Sequence, residues 1–99
     1  MFAAVVRTAG VRKSESYVRE RAEELLNFVG LGELGEVSAT ALPYGQQRLL
    51  EIARALAADP SIILMDEPAA GLNHDESARL GEMIRRIASR GTTVVMIEH

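Results

Sequence analysis

The chain contains no cysteine, which excludes a disulfide framework, a thiolate metal site and a thiol nucleophile. It also lacks an excess of positive charge: eleven Lys and Arg face fourteen Asp and Glu, a formal net charge of −3. Proteins that hold nucleic acid neutralise its phosphates with clustered Lys and Arg, so no nucleic-acid partner is expected. Long hydrophobic runs are missing too. The apolar start, Met1-Phe2-Ala3-Ala4-Val5-Val6, is shorter than the ~7–15 residues of a signal-peptide core. Nothing approaches the ~20 apolar residues of a membrane span. No G-x-x-x-x-G-K-S/T stretch occurs, so the loop that cradles nucleotide phosphates is absent from this chain. What is there has a globular make-up, 47% apolar and 25% charged in 99 residues, enough for one small domain.

Helical periodicity dominates the first half. Val18, Ala22, Leu25, Leu26 and Val29 recur at i, i+4, i+7, i+8 and i+11, one face of a helix. Ser14 or Ser16 is placed to cap its start, and Gly30 to end it. Gly30-Leu31-Gly32-Glu33-Leu34-Gly35 matches G-x-G-x-x-G. A dinucleotide site needs a strand before that pattern and a helix after it, whereas here a helix precedes and a loop follows. The pattern reads as a helix stop with turns. Residues 46–58 then read as a second helix, whose Leu49, Leu50, Ile52, Ala53, Leu56 and Ala57 cover most of its circumference and so predict burial.

In the second half, Ile62-Ile63-Leu64-Met65 is a short apolar run closed by Asp66-Glu67-Pro68, the pattern of a strand buried on both faces. Asn73 with Glu76 three residues on predicts an N-cap with a capping box. Leu80, Met83, Ile84, Ile87 and Ala88 form the apolar stripe of the helix that follows, and Gly91 stops it. Thr92-Thr93-Val94-Val95-Met96-Ile97 reads as a second buried strand, running into Glu98-His99. Strand, helix, strand is a βαβ unit with a right-handed crossover and parallel strands. Both strands then finish at one sheet edge, where open α/β sheets bind ligands.

Three places carry candidate chemistry. At the tip of the first strand, Asp66 is suited to hold Mg²⁺ and the adjacent Glu67 to orient and deprotonate a water. His99 ends the second strand. Tyr44, Gly45 and Gln46 open a helix, where free N–H groups and the positive end of the dipole attract anions. His74 has no partner constellation and reads as a solvated residue.

In order along the chain stand Leu42-Pro43-Tyr44-Gly45-Gln46-Gln47, Leu49-Leu50-Glu51-Ile52-Ala53-Arg54-Ala55-Leu56, Ile62-Ile63-Leu64-Met65-Asp66-Glu67-Pro68, Ala69-Ala70-Gly71-Leu72-Asn73 and Val94-Val95-Met96-Ile97-Glu98-His99. This series resembles the ATP-binding cassette (ABC) family of transporter ATPases over at least residues 18–99. The resemblance implies an α/β fold, an incomplete P-loop NTPase of the ABC type in which part of the helical subdomain is followed by a parallel βαβ unit. Residues 1–58 would be the helical portion ending in the signature helix, and residues 59–99 the nucleotide-binding portion. It implies ATP and Mg²⁺, with Asp66 holding the metal and Glu67 and His99 catalytic. Tyr44, Gly45 and Gln46 match the signature that meets the ATP of a partner subunit; Gly71, Leu72 and Asn73 match the D-loop. Implied partners are a second ATPase subunit packed head-to-tail and transmembrane permease subunits, with the protein peripheral on the cytoplasmic face of the inner membrane.

The spelling departs from the commonest one. Pro43 and Tyr44 stand where Ser and Gly are usual, and Asn73 where Asp is usual. Pro43 has neither hydroxyl nor N–H to donate, so phosphate contact would rest on the backbone of residues 44–46 and on the helix dipole. This variant spelling looks like the ATPase subunit of branched-chain amino-acid importers. An ATPase for another cargo, such as a lipid exporter, and a non-catalytic α/β module stay open as alternatives. The missing phosphate loop and the stop at the switch histidine imply an internal piece of a longer ATPase, inactive alone. In this class the strand carrying the phosphate loop pairs beside residues 94–97, so that edge is expected to lie open.

Overall fold

The computed structural model describes residues 5–7, 13–36 and 41–97. The first helix, α1 (Glu15–Phe28), is capped by Ser14, whose hydroxyl accepts from the Tyr17 N–H at 3.2 Å. Its apolar face buries Ala22, Leu25 and Leu26. On its first turns, the Tyr17 hydroxyl donates to the Asp59 carboxylate and Arg21 pairs with the same group at 3.5 Å. α1 is thereby fastened to the corner after the second helix. Accepting that hydrogen bond, Asp59 raises the Tyr17 phenol above its usual range. After Gly30 the chain enters a short 3-10 helix, Gly32–Glu36, so the G-x-G-x-x-G pattern is a helix stop with turns, as its context predicts.

The second helix, α2 (Tyr44–Ala57), starts two residues earlier than its apolar pattern predicts. Pro43 explains this: at φ −56° it is set for helix entry, and the Gln47 N–H reaches back to its carbonyl at 2.9 Å. Leu49, Leu50, Ile52, Ala53, Leu56 and Ala57 are all at most 1% exposed, which makes α2 the centre of the molecule. Arg48 is buried beside them and pairs with Glu51 at 3.2 Å.

The sheet follows. Strand β2 (Ile62–Asp66), helix α3 (His74–Ser89) and strand β3 (Thr93–Ile97) form the expected parallel βαβ unit, with Ile62 opposite Thr93 and Asp66 opposite Ile97. Asn73 caps α3 and Glu76 returns the bond to the Asn73 N–H at 3.0 Å, completing the capping box. A three-residue strand, β1 (Val5–Arg7), pairs antiparallel with the other side of β2, giving the order β1-β2-β3.

Two expectations need correcting. β2 is not buried on both faces: Ile63 and Met65 are fully buried, but Ile62 is 41% exposed. β3 is not a buried strand, because Val95, Met96 and Ile97 are all exposed. The physical reason is position. Among the described elements, β3 packs chiefly on β2 and α3, so it stands at the sheet edge with one side uncovered.

Candidate functional site

The site is built from the end of β2 outward. Asp66 is its last residue. At Glu67 the chain bends: this residue sits at φ +48°, in the left-handed region, where a non-glycine side chain costs on the order of 1–2 kcal/mol. Its N–H still donates to the Ile97 carbonyl at 2.7 Å, extending the β2–β3 ladder by one bond. The bend therefore occurs with the backbone held, and it sends Glu67 away from the strand direction that carries Asp66. Two successive turns, Ala70 N–H to Glu67 and Leu72 N–H to Ala69, both at 3.0 Å, then lead to the Asn73 cap of α3. No residue preference in the sequence signals the left-handed Glu67. It became visible only in the backbone.

Among the described residues, no group of three or more His, Cys, Asp or Glu could hold a metal ion. Mg²⁺ is ordinarily held by one or two carboxylates, with water and substrate phosphates completing its octahedron. A half-buried Asp66 at a strand tip offers one hard oxygen donor of that kind. His99, the other residue expected at this edge, lies outside the described residues. β3 itself ends at Ile97, paired with Asp66.

The second place is the start of α2. Pro43 contributes no side-chain cap, and an α-helix leaves its first N–H groups without helical acceptors. Gly45 is buried and Tyr44 is 46% exposed. The structure brings this turn against the loop before α3. The Tyr44 ring lies on Gly71, so that a Cβ there would sit 2.5 Å from Tyr44 Cε2. Gly71 also has φ +82°, which leaves glycine as the only comfortable residue. A Cβ on Gly45 would in turn collide with the Glu76 carboxylate. Gly45 thus permits the close approach of a side chain of this chain. Reading Glu76 only as half of a capping box misses its second contact.

The residues expected to carry chemistry therefore fall into two groups. Glu76 touches Gly45 and Asn73, and the adjacent Tyr44 touches Gly71. Asp66 and Glu67 occupy the end of β2, joined to the first group by the turns of residues 67–72. Gln46 follows in the first turn of α2, half-buried, and Leu72 lies packed against the core.

The family model described as ABC transporter matches residues 3–70. The high-affinity branched-chain amino acid transport ATP-binding protein LivG of Escherichia coli K12 is 40% identical over 100 residues, covering 100% of this chain and 39% of LivG. BraF of Pseudomonas aeruginosa, of the same description, is 44% identical over 98 residues, 98% of this chain and 38% of BraF. Among solved structures, the ATP-binding cassette MJ1267 superposes with a TM-score of 0.68 at 35% identity, covering 93% of this chain and 36% of that one. The chain thus spans about two fifths of the length of the curated relatives it matches. With a family match over most of its residues and the fold of a solved cassette along nearly its whole length, the chain belongs to the ABC transporter family of ATP-binding proteins.

Proposed function

We propose that this chain is the signature-to-switch segment of an ATP-hydrolysing subunit that energises uptake of branched-chain amino acids. The observation that carries the reading is the end of β2. A parallel βαβ unit presents Asp66 and, one residue on, a Glu67 bent out of the strand path at the edge where α/β sheets take their ligands.

Asp66 would be the protein ligand of Mg²⁺, which when bound neutralises charge on the β- and γ-phosphates. Glu67 would orient the attacking water and accept its proton, and His99 would contact the γ-phosphate and that water. Tyr44, Gly45 and Gln46 would close on the ATP of a second subunit packed head-to-tail, with Gly71, Leu72 and Asn73 at the same junction. The free N–H groups and dipole of α2 support that role, since Pro43 donates nothing. Residues 1–58 would form the helical portion, except that β1 (Val5–Arg7) joins the sheet beside β2, and residues 59–99 the nucleotide-binding portion. Among the described residues no helix is long and apolar enough to cross a membrane; the subunit would act from the cytoplasmic face of the inner membrane on transmembrane permease subunits. The cargo reading rests on LivG and BraF, both described as branched-chain amino acid transport proteins.

The test uses the complete protein carrying this chain. Glu67→Gln should keep ATP binding, hold two subunits together and slow hydrolysis by ~10²–10⁴, the usual contribution of a positioned base. Unchanged turnover removes Glu67 from the mechanism. For the cargo, the complete protein should restore leucine uptake to Escherichia coli cells lacking LivG; ATP hydrolysis without restored uptake points to a different cargo.

A further inference from the structure

Two contacts join the start of α2 to the loop ahead of α3, and neither belongs to the hydrophobic core. In the first, the Tyr44 ring covers Gly71 through its edge carbons, Cε2 and Cδ2, with the ring otherwise half open to solvent. In the second, the Glu76 carboxylate stands over Gly45 while its Oε1 accepts from the Asn73 N–H at 3.0 Å. A carboxylate at a helix N-terminus is favourably placed against the dipole. Each contact demands a glycine opposite it, and the two are mirror-like. One side chain of α2 seats on the loop, and one side chain from beyond the loop seats on α2. The loop between them is internally tied by the Ala70 and Leu72 turns, so it has little freedom to move alone.

We infer that Tyr44 and Glu76 are positioning residues that clasp residues 44–46 and 71–73 into a single unit. Resting on the reading of both stretches as nucleotide contacts, the clasp means that the start of α2 and the loop leading to Asn73 move together. The variant signature acquires a use in these terms. Where glycine is usual at position 44 nothing could reach Gly71; the tyrosine bridges that gap within one chain.

The experiment is amide hydrogen exchange by NMR on the full chain, without nucleotide, at low micromolar concentration. Rates are taken relative to the Ile52 and Leu56 amides of the core, so that general destabilisation cancels. Tyr44→Ala should speed exchange at Ala70 and Leu72 by at least about twofold, the smallest effect ordinarily seen between coupled residues, and Tyr44→Phe should restore protection because the contact uses ring carbons. Glu76→Ala should speed the Gln47 amide, the first bonded in α2. Asn73→Ala is the control: it removes the α3 cap but leaves the Glu76 carboxylate over Gly45, so it should fray α3 and leave Gln47 unchanged. Effects confined to the mutated element, with Glu76→Ala behaving like Asn73→Ala, overturn the clasp. Because no nucleotide is present, that failure leaves the ATPase reading standing, and an inactive complete protein leaves the clasp standing.

Discussion

At the residue scale, one side chain ties the solution behaviour of the molecule to a single contact. Tyr17 donates to Asp59, and this raises its phenol pKa. A group whose folded pKa is raised stabilises the fold fully below its unfolded value, about 10 for tyrosine, and the stabilisation disappears as pH rises through the folded value. Stability measured by urea unfolding should therefore decline above about pH 10 more steeply in the wild-type chain than in Tyr17→Phe. Parallel curves would mean that Asp59 holds α1 through Arg21 alone. Tyr17 was not legible as a structural residue, since nothing local marks a tyrosine on a helix as the partner of an aspartate forty-two positions away. The same holds for Tyr44 and Gly71. The place of Asp66 and Glu67 at the end of β2 was legible, because it comes from an apolar run and a chain break that lie beside them.

Among elements, what could be read from sequence divides by how local the cause is. α1 and α3 follow their caps and stripes because Ser14, Asn73 and Glu76 act within one turn. Asn73→Ala should lower stability by about 1 kcal/mol, within the usual 0.5–2 for a lost N-cap. A shift in the denaturation midpoint with an unchanged denaturant slope checks it. α2 was placed correctly but started early, since proline entering a helix is a backbone effect that apolar periodicity does not register. The strands show the opposite limit. Their existence and parallel pairing followed from the βαβ rule, whereas their exposure depended on neighbours. β1 escaped notice because three paired residues leave no period to detect.

For the molecule as a whole, the consequence of β3 is an open seam. Val95, Met96 and Ile97 are exposed along an edge strand, and such edges template pairing with other chains. The isolated chain should self-associate as concentration rises, seen as growth in sedimentation coefficient, and Val95→Lys with Ile97→Lys should suppress it. Concentration-independent monomers would show that the seam is protected. A second consequence reaches from a single dihedral to the melting curve. Glu67 occupies a backbone shape suited to asparagine, so Glu67→Asn should be more stable by up to about 1 kcal/mol, while in the complete protein, if Glu67 has the proposed role, it should slow hydrolysis by the same ~10²–10⁴ as Glu67→Gln. Selection for folding alone would discard this glutamate, and a library screened only for heat resistance should lose it among the first.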